Sequence, residues 1–401
     1  MNLLYVALKE SIPGSHGGAV HVLEVARQLT RRGRHVTAVV RQQPGQPERE
    51  TLDGFDVIRL HLPNQYLLFT AGGAVTRLAR TLAPDVVMER YYTFSGAGLA
   101  AAQALHLPSL LEVNAPIVDP PGTAKARADR FLLGWMRRRA LAQAQAATRI
   151  VTPLAATIPN EIPRDKIREI PWGANVELFD RAALDPARLS ALGARLNPQN
   201  RPVVTFLGSF RRWHGIREFL DMAQSIAAAR ADVLFIMIGA GELLAESRAW
   251  VAAAGLGERI LLTGAVPYAA VPYYLALAQV GVAPFNTSVH PPLKLGFYWS
   301  PLKVHEYMAL ALPVVTIDVY PLNRMVRHEQ EGLLYREGDA AALRAHVERL
   351  VNDPALVQRL GQAARQRVVE HLSWQKHAEL LEGVLNECLG KENHTYVALA
   401  G

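Results

Sequence analysis

Short apolar runs alternate with amphipathic stretches along nearly the whole chain, the pattern of strands and helices taken in turn. The first run, Leu3 to Ala7, leads into a loop holding Gly14, Gly17 and Gly18. A helix is then predicted from about Ala19 to Arg32, because Val22, Val25, Ala26 and Leu29 recur at one-face spacing and Gly33 is placed to end it. A second strand, His35 to Val40, completes a βαβ unit. Further runs at Val57 to Leu60, Val86 to Glu89, Ser109 to Val113 and Arg149 to Thr152 extend it. They predict a parallel sheet with helices on both faces whose last strand ends near Thr152.

The same alternation restarts at Val203. Strands are read in VVTFLG, DVLFIMIG, RILLTG, VGVAPF, PVVTID and GLLY, with helices from Gly215 to Ala229, Leu243 to Ala254, in VPYYLALAQ and in KVHEYMALA. Helical patterns follow at Ala340 to Val351, Pro354 to His371 and Trp374 to Leu389, and the tail GKENHTYVALAG is expected to be frayed or lightly packed. Between the two sets, Pro171 to Asn200 has the turn-rich, polar composition of an interdomain connection, so a cleft is expected there.

Composition narrows the class. With 401 residues, 50% hydrophobic and 20% charged, the chain has room for two cores and is neither disordered nor a disulfide scaffold. The lone Cys388 excludes an internal disulfide and a CxxC site and fits a reducing cytoplasm. MNLLYVAL is too short for an export signal, and the apolar stretch Met308 to Ile317 is too short to span a bilayer and is broken by Pro313. The formal charge of +7 is uneven: 24 Lys and Arg face 17 Asp and Glu through Asn200, and 19 face 19 beyond it. An acidic substrate, a membrane surface, nucleic acid or simply a solvated basic face near the first half would each account for it.

In doubly wound sheets, ligands bind beyond the carboxyl ends of the strands, where helix N-termini favour anions. Four loops qualify. Ser11 to Gly18 sets Gly17 and Gly18 just before a helix, where a phosphate can approach the backbone or the glycines simply make the turn. GSFRRWHG offers Arg211 and Arg212, with His214 as a further donor and Trp213 as a wall, or else a solvated arginine pair over a core tryptophan. IGAGE, Ile238 to Glu242, lacks a third glycine and reads better as a tight turn than as a dinucleotide motif. GFYWSPLKVHEYMALALP is the most informative: Ser300 and Pro301 lead into a helix whose first amides belong to Leu302 and Lys303, with Glu306 three residues after Lys303. There a diphosphate fits the amides and Lys303 while Glu306 holds a sugar hydroxyl; the plain alternative is a surface ion pair.

This last stretch, with GGAVHVLEVARQLTRRGRHVT, PWGANVELF, GSFRRWHG, IGAGE, TGAVP, EGLLYREGD and LSWQKHAELL in their order, resembles glycosyltransferase family 4 over nearly the whole chain. The resemblance implies an α/β protein of GT-B fold, two Rossmann-like doubly wound domains facing a central cleft. Residues 1–175 would form the acceptor side and 176–372 the nucleotide-sugar donor side, with a final helix at about 373–390 packing back on the first domain. It implies a retaining enzyme that moves a hexosyl group from a nucleotide-diphosphate sugar, UDP-linked in preference to GDP-mannose, to a hydroxyl on a glycan, lipid or small molecule, with no metal and no other cofactor.

Carried onto this sequence, the resemblance makes Glu306 the ribose ligand, and Leu302 and Lys303 the diphosphate amides, with Ser300 before them and Gly17 and Gly18 opposite. Val266 would meet the base, and Arg211 and His214 the phosphates. Three positions depart from the family pattern: Tyr298 stands for its first glutamate, His214 for a lysine, and Asn114 for a histidine near the reacting carbon. Asn114 can orient sugar or acceptor but cannot act as a base, and it can equally be a turn residue after a strand. His214 carries charge only when protonated.

No carboxylate is assignable as a covalent nucleophile, so front-side displacement is expected, with the leaving phosphate stabilised by Arg211, Lys303 and helix amides. A GT-B-fold epimerase or hydrolase, and a catalytically silent sugar-nucleotide binder, are the alternatives. Nucleic-acid binding is the least favoured reading, since the basic residues are not interleaved with an aromatic stacking surface and no recognition motif appears. The segment Lys125 to Arg149, with Phe131, Leu132, Leu133, Trp135 and Met136 beside Arg137, Arg138 and Arg139, is read either as a contact with anionic membrane at its inner face or as a core helix with a basic outer side.

Overall fold

A computed structural model describes residues 1–14, 16–62, 68–298 and 300–391. Ser15 in the first glycine loop, Trp299 before the Lys303 helix and most of the C-terminal tail lie outside them. The chain divides into two compact units. One comprises Met1–Trp172, Tyr298–Ser300 and the segment from Trp374 onward; the other comprises Gly173–Phe297 and Pro301–Ser373.

The first unit runs β1 (Asn2–Ala7), α1 (Gly17–Arg31), β2 (His35–Arg41), β3 (Arg49–Leu52), β4 (Phe55–Leu60), α2 (Gly72–Leu82), β5 (Val86–Arg90), α3 (Ala97–Ala104), β6 (Ser109–Glu112), α4 (Ala124–Phe131), α5 (Trp135–Ala146), β7 (Arg149–Thr152) and β8 (Ile167–Glu169). The sheet order is β3-β4-β2-β1-β5-β6-β7-β8. The central strands are buried along almost their whole length, as apolar runs covered on both faces require.

Two strands escaped the sequence reading. β3, the polar RETL, pairs antiparallel with β4 at the edge, so the sheet is not wholly parallel. β8 continues it beyond Thr152, where the expected sheet ended; IRE is too short and polar to stand out as an apolar run. The segment Lys125 to Arg149 is not one core helix either. It folds as α4 and α5 around a corner at Leu132 to Gly134; α4 buries no side chain, and only Met136, Ala140, Gln143 and Ala144 of α5 face inward.

The last helix, α14 (Trp374–Cys388), belongs to this unit. Its Glu382 takes Arg32 at 2.7 Å and also Arg34 from the end of α1, and its Glu387 takes Arg168 of β8 at 2.7 Å and Arg149 of β7 at 3.1 Å. Trp374 is fully buried.

The second unit runs α6 (Pro186–Leu196), β9 (Val203–Leu207), α7 (Ile216–Ala229), β10 (Leu234–Ile238), α8 (Leu244–Ala253), β11 (Ile260–Gly264), α9 (Val271–Ala276), β12 (Val280–Ala283), α10 (Leu302–Ala309), β13 (Val314–Ile317), α11 (Leu322–Met325), β14 (Gly332–Tyr335), α12 (Ala340–Asn352) and α13 (Pro354–His371). All its strand pairs are parallel, in the order β11-β10-β9-β12-β13-β14. The helix α6 falls inside the stretch read as a connection. Asp185 caps it, accepting from the Ala187 amide at 2.9 Å, and Pro186 takes the first turn, where its missing N–H costs nothing.

In each unit the strand order reverses once beside the first strand, between β1 and β5 and between β9 and β12. Those are the points at which such sheets open a crevice at their carboxyl ends.

Candidate active site

In the second unit, α10 starts beyond the β9/β12 switch point. It is fixed to the sheet by Tyr307, whose hydroxyl accepts from the Leu207 amide at 2.6 Å and points at the Val282 carbonyl at 3.4 Å. Two residues on, at the helix C-terminus, the Ala309 carbonyl accepts from Arg365 of α13 at 2.7 Å, and the same guanidinium donates to the Phe179 carbonyl at 2.9 Å. With its last turn held to the sheet and to α13, the helix directs its first turn at a set place. Its N-cap residue, Pro301, gives that first turn no side-chain hydrogen bond, and the leading amides of such a turn favour an anion.

Lys303 is buried there. Its ammonium lies 4.0 Å above the Phe206 ring and 5.0 Å from the Phe285 ring centre, and no acceptor among the described residues reaches it. Burial drives its pKa down from 10.5 to about 7, with Glu306 pulling the other way. Gly208 makes the room. A Cβ there would come within 2.9 Å of the Lys303 Cε and Nζ, and the backbone sits at φ +136°. The Nδ1 of His214 is also buried without a partner, as is the Trp213 indole nitrogen. The Lys303 and His214 nitrogens, both close to Gly208 and both buried without a partner, make a site built to receive oxygens.

Glu306 follows Lys303 by one helical turn. Burial raises its carboxyl from 4.5 to about 7, against a 3.0 Å hydrogen bond from the Tyr268 hydroxyl and the charge of Lys303. Tyr268 in turn packs on Phe179 at 5.6 Å. A half-ionised carboxylate held this way is an acceptor for vicinal hydroxyls. Tyr268 and Gly208 carried no distinguishing signal in the sequence, because each acquires its role from a residue distant in the chain, Tyr268 from Glu306 and Gly208 from Lys303.

The other expected donor ligands are distributed as follows. His214 is held well below its ordinary pKa by burial, then by Lys303 and Arg211, so it is neutral at pH 7 and offers a hydrogen bond rather than a charge. Arg211 is exposed, its guanidinium 5.1 Å over Trp213, which itself stacks on His290 at 4.3 Å. Leu302 is the first residue of α10 and Val266 is half-buried in the turn after β11. Tyr298 and Ser300, both buried, group with the first unit; burial and the nearby Asp119 push the Tyr298 hydroxyl above its ordinary range. Gly239 of IGAGE is a structural glycine: a Cβ there would lie 2.0 Å from the Gly208 carbonyl oxygen.

The first unit carries a polar chain that the sequence did not reveal. Glu10, after β1, accepts from the Tyr92 hydroxyl; Arg90 donates to Tyr92 at 2.8 Å and to Glu112 at 3.2 Å; and Glu112 also takes the Tyr5 hydroxyl at 2.7 Å and the His21 ring. Burial opposes ionisation of Glu112, but His21, Arg90 and Tyr5 hold its carboxyl well below the usual range. Burial keeps His21 neutral, with its pKa lowered to about 4.

At Gly18, a Cβ would meet the Glu10 carboxylate at 2.3 Å. A side chain at this position would push the end of Glu10 aside, and Glu10 stands beside the start of α1, where Gly17 and Gly18 were expected to meet phosphate. Asn114 accepts from the Trp172 indole at 2.8 Å, while its own Nδ2 is buried and without a partner, a donor free to orient a hydroxyl. Among the described residues, one group has metal-ligand character: His21, Glu112 and His377, whose donor atoms lie within 4.8 Å of one another. The Nδ1 of His377 is 2.7 Å from the Pro171 carbonyl, and the charge of Glu112 is already matched by Arg90.

Comparison with known proteins turns this geometry into a family. Residues 16–173 match the description "Glycosyl transferase 4-like domain", and residues 192–367 match "Glycosyl transferases group 1". The chain is a GT-B glycosyltransferase of the family-4 type.

This glycosyltransferase is 22% identical to an alpha-D-kanosaminyltransferase of Streptomyces kanamyceticus, over 96% of its own length and 99% of the relative's. Its fold matches the sucrose-phosphate synthase of Thermosynechococcus elongatus with a TM-score of 0.76 at 21% identity, over 97% of this chain and 99% of that one. It also matches the Anabaena protein HepE, crystallised with UDP-glucose, with a TM-score of 0.71 at 15% identity, over 96% and 100% of the two chains. Among the described residues no helix of this glycosyltransferase is long and apolar enough to cross a membrane.

Proposed function

We propose that the enzyme is a retaining hexosyltransferase that uses a UDP-linked hexose, needs no metal, and works in the cytoplasm on a hydroxyl of a glycan, lipid-linked or small-molecule acceptor. The observation that carries this reading is Lys303: a buried ammonium without an acceptor among the described residues, at the start of α10, one turn before a carboxylate. A diphosphate supplies what Lys303 and the Leu302 and Lys303 amides lack, and the ribose supplies what Glu306 can accept. The UDP preference draws support from HepE, which was crystallised with UDP-glucose.

In this reading the acceptor oxygen attacks the anomeric carbon on the face the diphosphate leaves. The carbon–oxygen bond to the β-phosphate breaks with its electron pair on the phosphate, and the acceptor proton passes to that oxygen. Lys303, the amides of α10 and Arg211 stabilise the growing charge, and Asn114 orients sugar or acceptor through its free Nδ2.

The test is turnover of UDP-hexoses and GDP-mannose against a panel of hydroxyl acceptors, with EDTA present, reading the anomeric configuration of the product by NMR. An α-linked product from an α-linked donor supports the proposal. An inverted product, or release of free sugar at full rate without any acceptor, overturns it.

A further inference from the structure

The corner between α4 and α5 presents apolar side chains to solvent. Phe131 is 87% and Leu133 83% exposed, with Leu132 and Trp135 each at 43%. The corner is ordered by its own hydrogen bonds. Asp129 accepts from the Met136 amide at 2.8 Å and the Arg137 amide at 3.2 Å, and its carbonyl accepts from the Gly134 amide at 2.8 Å. Leu133 adopts the left-handed region, at φ +52°, unusual for a bulky residue, and Gly134 follows at φ +76°. The core does not claim these side chains: the inward face of α5 is complete with Ala140 and Ala144, which pack on Leu111, Ile150 and Ile158.

Charge says what covers them. Arg127 and Arg130 on α4 and Arg137 and Arg138 on α5 are all exposed around the apolar tip. The acidic side chain in this stretch, Asp129, is used as the α5 cap, and the ion pair of Arg137 with Glu161 is half-exposed and weak. A cationic ring about a tip of Phe, Leu and Trp is complementary to a surface that is anionic at the head groups and apolar beneath. A second copy of the chain would bring the same cations against each other, and Leu132 and Leu133, apolar without a stacking face, suit the acyl boundary of a bilayer.

We infer that the α4–α5 corner docks the enzyme on an anionic phospholipid bilayer, with Phe131, Leu133 and Trp135 entering the interface and Arg127, Arg130, Arg137 and Arg138 on the lipid phosphates. This is independent of the sugar chemistry assigned to Lys303 and Glu306.

The experiment is co-sedimentation of the full chain with phosphatidylcholine vesicles, with and without phosphatidylglycerol, over a salt series. Binding to the phosphatidylglycerol vesicles alone, falling as salt rises, is expected. The double variant Phe131→Ser/Leu133→Ser should weaken it by roughly tenfold or more, as should Arg127→Gln/Arg130→Gln, with melting temperature and nucleotide binding unchanged. Absence of binding to anionic vesicles, equal binding to neutral ones, or binding indifferent to both double variants overturns the inference. So does conversion of a dimer to a monomer by Phe131→Ser/Leu133→Ser, which would make the corner a contact between copies.

Discussion

The Lys303 ammonium lies 4.0 Å above the ring of Phe206, with no hydrogen-bond acceptor among the described residues. A cation–π contact stabilises a charge far less than water does, which is why burial brings this lysine to a pKa of about 7. The apo enzyme therefore holds a lysine that is close to half-protonated at neutral pH and gains a full charge when an anion arrives.

Nucleotide binding should take up protons. At pH 8 Lys303 is mostly neutral in the free enzyme, and a bound diphosphate restores its charge. Calorimetry of UDP binding in buffers of different ionisation enthalpy is expected to show net proton uptake, and affinity should fall as pH rises from 7 to 9. Lys303→Met should abolish both effects and lower kcat by about 10²–10³-fold. The sign for stability follows from the same shift. A folded pKa of about 7 against an ordinary 10.5 means the unfolded chain holds more protons between those values, so the apo enzyme gains stability as pH rises across that window.

Glu306 should set the acid limb of activity. Its carboxyl sits near 7 and must be ionised to accept ribose hydroxyls, and the Tyr268 hydroxyl favours the ionised form. Tyr268→Phe is expected to move the acid limb of the kcat/KM profile to higher pH. Glu306→Gln should flatten that limb and weaken UDP by about 10–100-fold, the range for a hydrogen bond to a charged group.

Gly208→Ala tests the space beside Lys303. The new methyl would meet Lys303 at 2.9 Å, so UDP affinity should drop about tenfold or more, a cost of about 1.4 kcal/mol. Gly338→Ala is the control: its φ is also positive, at +86°, but nothing lies within 4 Å of the added carbon. It should lose stability from backbone strain and leave UDP affinity intact.

Glu112→Ala should destabilise the first unit by about 3–5 kcal/mol in urea unfolding, because it strands Arg90 in the core. Removing both charges, in Arg90→Leu/Glu112→Leu, is expected to restore a large part of that loss. Equal losses in the single and double variants would show that the pair is not what binds these groups into the fold.

Much of the fold was legible because apolar alternation is local: a strand such as Val203–Leu207 or a helix such as Ile216–Ala229 declares itself within its own few turns. β3 and β8 did not, since short polar edge strands are recruited by a neighbour rather than by their own pattern. At the site, Lys303 and Glu306 were visible by spacing and by family resemblance. Tyr268, Gly208 and the chain from Glu10 to His21 were not, because each acts through a partner distant in sequence.

The sequence by itself determined the α/β alternation, the loops at the strand ends and the identity of the groups offered there, all properties of neighbouring residues. Tertiary structure alone decided the charge states of those groups. Lys303 is brought close to half-protonation at pH 7 because it is buried against Phe206 and Phe285, and His214 is neutral because it is buried beside that lysine. It decided as well that Phe131 and Leu133 point outward. Desolvation depends on what the folded chain brings around a side chain, and no local pattern records it.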